Sequence, residues 1–282
     1  MRGMYPSGKI QLHSRPTLLT TTSPMPPILC CEPMQIISLT FDDGLRCQME
    51  RGVPILDQHG IPATFFIAAN THPVHLDYCA HAPWRKIEWN AADIRTLKDM
   101  ARRGHEIGSH SVSHKSSESS NLRPAQDRGY DARDEAERSK HLISDWMEME
   151  IPSFCYPFCH KGGGLKDAVV AAGYKQARAG ASRGYYPVGG PLDYLDIDCR
   201  FAGEFGRLED VASWKCHGDQ WHVLTFHGIG PTTDTDGWLS ISPEEFAREM
   251  SELAAYRDAG EVEVLTFADA AERMRTANQT GH

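Results

Sequence analysis

Gln35-Ile36-Ile37-Ser38-Leu39-Thr40-Phe41-Asp42-Asp43-Gly44 is the stretch on which the reading of this chain turns. Seven mostly apolar or β-branched residues run without a break and end on two carboxylates and a glycine. A short apolar run closed by a turn signal reads as a buried strand. Buried strands of this kind belong to parallel sheets, where functional groups collect just past the C-terminal strand ends. Asp42 and Asp43 stand at that place. Adjacent carboxylates point in different directions, so one can bind a metal while the other stays free to take a proton. Gly44 permits the tight turn. Taken by itself, the cluster also reads as a solvated turn or a helix N-cap.

Working outward, strand-like and helix-like runs alternate. Val53, Ile55 and Leu56 suggest a helix stopped at Gly60, and Ala63–Ile67 a second buried strand. Ile94, Leu97, Met100 and Ala101 follow helical spacing up to Gly104, and His105–Gly108 reads as a short strand. A helix over residues 131–149, a strand at Ser153–Tyr156, a helix at Leu165–Ala172 and one or two strands within 174–200 follow. Trp221–Phe226 is a strongly apolar late strand. Ser242, Pro243 and Glu245 then form a helix start with a capping box, before a strand at Val262–Thr266 and a terminal helix at Ala268–Met274. Repeated β-then-α units over ~240 residues imply a parallel sheet, open or closed into a barrel. No repeat or linker breaks the chain after residue 34. We therefore expect a tail at 1–33, which is native or the product of an upstream start, one domain at 34–277 and a short tail at 278–282.

Composition excludes several classes. Of 282 residues, 40% are hydrophobic and 24% charged, which suits a folded core. The net charge of −9, without a basic cluster, argues against nucleic acid as a partner. No stretch approaches the ~20 apolar residues that span a bilayer. Pro16, Pro24, Pro26, Pro27 and Pro33 interrupt the mildly apolar N-terminus, which does not read as a signal peptide, so a cytoplasmic location is expected. The eight cysteines are scattered and read as reduced thiols. Cys155 and Cys159 have loosely zinc-like spacing, but no second half-site follows.

Two histidine clusters add chemistry. His110 and His114, at i and i+4 in His110-Ser111-Val112-Ser113-His114, would lie on one face of a helical turn and reach one ion together. An exposed or capped pair is the plainer reading. His227 directly follows the late apolar strand, and imidazole titrates near neutrality, as a general acid should. A lone His there could equally be a hydrogen-bonded structural residue.

In this order, the clusters resemble the polysaccharide deacetylases, also called carbohydrate esterase family 4 or the NodB-homology domain. Thr40-Phe41-Asp42-Asp43-Gly44 matches the first motif, His110-Ser111-x-x-His114 the second, and His227 the last, over roughly residues 34–277. The resemblance implies a distorted (β/α) barrel and an acetylated oligo- or polysaccharide as substrate, with the N-acetyl amide as the more usual target and O-acetyl xylan as the runner-up. It also implies one divalent metal, commonly zinc, held by Asp43, His110 and His114, with Asp42 as general base and His227 as general acid. Cobalt, nickel or manganese would also suit a mixed nitrogen and oxygen site. A metal-retaining binding protein with impaired catalysis and a metal-free interaction protein are the competing classes.

The chain departs from the family pattern twice. The third motif carries an Arg that orients the catalytic Asp; Cys155 stands in its place, before Tyr156-Pro157-Phe158. Arg178, Arg183 and Arg200 are candidate substitutes. The Tyr156 backbone amide, with Pro157 and Phe158 beside it, is the expected oxyanion and substrate contact. The family's Asp-Trp motif, which helps tune the catalytic His, has no clear match in its expected region; Asp196 and Asp198, neither followed by Trp, are candidate partners of His227, or solvated strand-end carboxylates. His72, His75, Tyr78, His81, Trp84 and Trp89 mark residues 70–89 as a stretch that either lines a sugar cleft or anchors itself on the core through its tryptophans. Trp238 invites the same two readings. His59, His141 and His222 read as ordinary surface or core residues.

Overall fold

All seven residues of β1 (Gln35–Phe41) are buried, and the sheet closes around this strand. The computed structural model describes residues 35–69, 89–117, 129–181, 184–201, 218–230 and 241–280. They lie within one compact unit, Glu32–His282. The expected tail at 1–33, Arg183, Trp84, Trp238 and the histidines and tyrosine of 70–88 fall outside the described residues.

After β1 come α1 (Val53–His59), β2 (Thr64–Ile67), α2 (Ala91–Arg102), β3 (Glu106–Ser109), α3 (Ser139–Met147), β4 (Ser153–Cys155) and α4 (Leu165–Ala171). β5 (Gln176–Ala181), β6 (Tyr185–Pro187), β7 (Ile197–Phe201), β8 (Gln220–Phe226), α5 (Pro243–Asp258), β9 (Val262–Val264) and α6 (Phe267–Thr280) complete the order. β1, β2, β3, β4, β5, β7 and β8 pair in parallel in that sequence, and β8 returns to β1 along its full length, from Gln35↔Gln220 to Phe41↔Phe226. This is a closed seven-stranded (β/α) barrel, the fold the motifs implied. It is distorted at β1, whose first half pairs with β9 and whose last two residues pair with β2 on the same edge. β6 adds an antiparallel strand beside β8.

Period-two alternation sorts the strand side chains into two layers. Ile37, Leu39 and Phe41 pack outward with Leu97 and Met100 of α2, Ile143 of α3 and Phe246 of α5. Phe41 stacks on Phe65 at 4.8 Å and on Phe226 at 5.2 Å, tying three neighbouring strands near their C-terminal ends. Ile36, Phe66, Cys155, Cys199 and Trp221 form the second cluster with Phe267, Ala270 and Met274 of α6. That helix is docked at the opposite end, where the Phe267 and Ala268 amides donate to Thr64 Oγ1 at 2.8 Å and Glu106 Oε2 at 2.9 Å. The strand ends that carry Asp42, His110 and His227 face the other way.

Local signals acted as expected at α1, where left-handed Gly60 returns its amide to Asp57 and Leu56, and at α5, where Ser242 Oγ accepts from the Glu245 amide at 3.1 Å. Trp89 is an anchor: its Nε1 donates to Ala68 O at 2.7 Å, and its ring lies 6.1 Å from that of Trp146. A Cβ on Gly44, whose φ is +66°, would come within 3.0 Å of Trp89 and 3.1 Å of Ile67, so the turn after Asp43 needs glycine twice over. The four described cysteines, Cys47, Cys155, Cys159 and Cys199, are free thiols.

Candidate metal centre and catalytic pair

The Asp42-Asp43 turn leaves β1 by one last ladder bond, Asp42 N–H to Phe226 O at 3.1 Å. Asp43 then turns left-handed, at φ 74°, and directs its carboxylate away from that of Asp42. Its Oδ1 lies 3.3 Å from His114 Nε2 and 3.7 Å from His110 Nε2, and the two imidazole nitrogens are 3.1 Å apart. All three side chains are buried. His110 Nδ1 is 2.9 Å from the Cys155 carbonyl oxygen, which can only accept, so Nδ1 carries the proton and the Nε2 lone pair faces the cluster. Burial lowers the His110 pKa against the opposing pull of Asp42 and Asp43, which favours the neutral, ligating form. Two imidazole nitrogens and a carboxylate oxygen converging in this way suit a divalent cation of borderline softness.

The histidine pair is brought together by a different device from the expected helical turn. Residues 110–116 form a loop, with Ser111 at φ 68° and His114 at φ 56°. Buried Glu135 holds it: Oε2 accepts from the Val112 and Ser113 amides at 3.0 and 2.8 Å, and Oε1 accepts from Ser113 Oγ. Ser111 Oγ accepts from the His114 amide at 3.0 Å. Six non-glycine residues among those described have positive φ, and five of them, Asp43, Ser111, His114, Phe158 and Cys159, lie at this end of the barrel. Each costs about 1–3 kcal/mol, and such strain is retained where surrounding structure over-determines the geometry.

Asp42 sits apart from the triad, with Oδ2 3.7 Å from His227 Nε2. It is 4% exposed and ion-paired to Arg178, which is 1% exposed. Burial pushes the Asp42 pKa up, but Arg178, His110 and His227 outweigh it and hold the carboxyl below its ordinary range. Arg178 is therefore the guanidinium that faces the Asp in the absence of an Arg at 155. Cys155 and Arg178 are direct neighbours in the β4–β5 register, so their side chains leave the sheet on the same face. Arg178 Nη2 also donates to Cys155 Sγ at 2.6 Å and Nη1 to Cys199 Sγ at 2.7 Å. Asp42, His110 and Cys155 also bring ligand atoms together, but the guanidinium between Asp42 and Cys155 already supplies the positive charge there. Arg200 goes elsewhere, to His222 Nδ1 at 3.3 Å.

Three expectations change. The Tyr156 amide donates to Arg178 O at 3.0 Å as part of the β4–β5 ladder, so it is not available to an oxyanion, and Tyr156 Oη donates to Leu195 O. Pro157 is buried and opens a short 3₁₀ turn, while the Phe158 ring packs 4.4 Å from that of His114. Phe158 thus packs beside His114 rather than standing free at the strand end. Asp196 is paired with Lys161 at 2.6 Å and Lys166 at 3.4 Å, a salt-bridged carboxylate at the barrel rim. Asp198 lies in β7 and donates its amide to Tyr186 Oη at 2.5 Å; the ion pair seen at His227 is with Asp42. Gln48, Glu135 and Cys199 carried no motif that could have singled them out.

A family model for polysaccharide deacetylase matches residues 31–177, just over half of the chain. The chain belongs to the polysaccharide deacetylase family. It is 32% identical over 88 residues to a chitin deacetylase of Colletotrichum lindemuthianum, a match covering 31% of this chain and 30% of that protein. A polysaccharide deacetylase candidate from Mycobacterium smegmatis superposes with a TM-score of 0.53 at 16% identity, covering 87% of this chain and 91% of the other. The Xyl-CE4 domain of a multidomain xylanase from the Trinervitermes trinervoides hindgut metagenome gives 0.50 at 14% identity, covering 85% and 91%. These two likenesses show that the deacetylase fold is shared. No helix among the described residues is long and apolar enough to cross a membrane.

Proposed function

We propose that this deacetylase is metal-dependent and removes N-acetyl groups from a carbohydrate, with Asp42 as base and His227 as acid. The observation that carries the reading is the division of labour between adjacent carboxylates: Asp43 joins His110 and His114, while Asp42 pairs with Arg178 and His227. Asp43, His110 and His114 would hold the cation. When bound, it would polarise the acetyl carbonyl and acidify a water. Asp42, held ionised by Arg178, would take the proton of the water that attacks the acetyl carbon. His227 donates a proton to the departing sugar nitrogen, and acetate and the free amine are the products. The N-acetyl preference draws support from the partial match to a chitin deacetylase.

Metal analysis of the purified chain, with acetate release from chitooligosaccharides and acetylated xylan in parallel, tests this. We expect about one divalent ion per chain, as three protein ligands imply, and acetate from the chitooligosaccharides. Asp43→Ala should lose the metal and the activity. Asp42→Asn should keep the metal and lose about 10²–10⁴ in rate. Acetate from xylan alone overturns the amide reading, and a metal-loaded protein that releases none overturns catalysis.

A further inference from the structure

Gln48 is fully buried in the π-helical turn Gln48–Gly52 that leads into α1. Its Nε2 donates to Asp42 O at 2.6 Å and to His227 O at 2.8 Å, and its Oε1 accepts from the Leu45 amide at 3.1 Å. A primary amide has two N–H donors in a fixed plane. Here both go to the main-chain carbonyls of the proposed base and the proposed acid.

The place of this contact matters. β1 and β8 are paired up to Phe41↔Phe226, and the Asp42 amide adds one further ladder bond to Phe226 O. Immediately beyond, the two chains enter separate turns, and the Gln48 amide links them. The span from Asp42 to His227 is thereby set by one rigid planar group at the point where the sheet stops setting it. Their side chains face each other at 3.7 Å across the same gap.

We infer that Gln48 is a positioning residue that fixes the separation of Asp42 and His227. This rests on the reading of those two residues as base and acid. A side chain must donate twice from this exact reach. Gln48→Met keeps the length and donates nothing, and Gln48→Asn falls one methylene short. A misplacement of about 1 Å at reacting groups can cost on the order of 10²-fold in rate. The side-chain hydrogen bonds of Gln48 go to the main chain of Asp42, His227 and Leu45, and none goes to the side chains of Asp43, His110 or His114.

The test is a double-mutant cycle on the full chain, using acetate release from a chitooligosaccharide. Gln48→Met should lower kcat about 10- to 100-fold, with KM and bound metal within about twofold of wild type. In a His227→Ala background, the same substitution should cost less than about threefold, because the distance it controls no longer serves a proton transfer. Equal losses in both backgrounds would make Gln48 merely structural and overturn the inference. A crystal structure of Gln48→Met gives a second readout: the gap between Asp42 Oδ2 and His227 Nε2 should move away from 3.7 Å, and an unchanged gap refutes the clamp. If Gln48→Met does not fold, Gln48→Asn carries both measurements. An inactive wild type, or an undiminished His227→Ala, sinks the acid and base reading, whereas the structure of the variant still decides the role of Gln48.

Discussion

Replacing Arg178 by Met isolates the ion pair on which the proposed chemistry leans. The side chains of Arg178 and Asp42 are 1% and 6% exposed, so water cannot take over when one partner is removed. Breaking a buried pair from one side costs about 3–5 kcal/mol, because it strands the other charge. Met fills much of the guanidinium's stem volume, so the cavity contribution stays small beside that figure. Urea unfolding at neutral pH should therefore show a loss in that range. With its counter-charge gone, Asp42 is left with the burial that raises its pKa, partly opposed by His110 and His227. Its capacity as a base falls with it, and acetate release should drop about 10²–10⁴-fold while the metal stays bound. The register makes a rescue available. Position 155 is directly opposite 178, and Cys155 Sγ is already 3.8 Å from both Asp42 oxygens. A guanidinium grown from 155 into the space vacated in Cys155→Arg/Arg178→Ala can meet the same carboxylate. The double variant should recover at least about tenfold over Arg178→Ala alone, as restoring a charged partner to a buried ion requires. An Arg178→Met protein within about 1 kcal/mol and a few-fold of wild type would refute the reasoning, since neither the desolvation nor the countercharge would then matter.

Glu135→Ala should destabilise the chain by about 1–3 kcal/mol for each loop amide left buried without a partner, and weaken zinc binding about 10–100-fold through the loosened His110–His114 loop. Calorimetric titration with zinc against a competing chelator, beside urea unfolding, checks both; unchanged values would show that the loop holds itself. His222 supplies a pH test. Its pKa is lowered to about 3 by burial and by Arg200, so the unfolded chain binds a proton that the folded chain refuses as pH falls below the ordinary imidazole value. The sign is a loss of stability on acidification, about 2 kcal/mol from pH 7.5 to 5. His222→Gln should flatten that part of the stability profile, and an unaltered slope would place the acid sensitivity elsewhere.

The barrel was legible because its rules are local. Unbroken apolar runs, a glycine stop after α1 and a serine cap before α5 each act within a few residues, and their alternation leaves few topologies. The candidate metal cluster was legible for a related reason: Asp43, His110 and His114 all sit just past strand ends, where a parallel barrel gathers side chains. Other features were hidden by the same logic. In place of the helical turn expected at His110–His114 there is a loop with Ser111 and His114 at positive φ, and Glu135, 21 residues beyond His114, takes its Val112 and Ser113 amides. Glu135 stands in a charged run that reads as a solvated helix face, and nothing in its neighbours marks it as buried. The Tyr156 amide looked free because the sequence does not say where the β4–β5 ladder ends; Arg178 O takes it.

The amino-acid sequence by itself determined the alternation of strands and helices, the family, and the candidate residues at the strand ends, since apolar runs and short motifs encode these directly; within 174–200, where one or two strands were expected, three begin. The tertiary structure decided which arginine meets Asp42, what clamps Asp42 to His227, and how the histidines reach Asp43. Those choices depend on strand register and barrel closure, which bring together residues 136 and 179 positions apart in the chain. Cys155 shows the difference most clearly. In the sequence it marks a missing charge; in the barrel it is the lateral neighbour of Arg178, which brings that charge to Asp42 from the next strand.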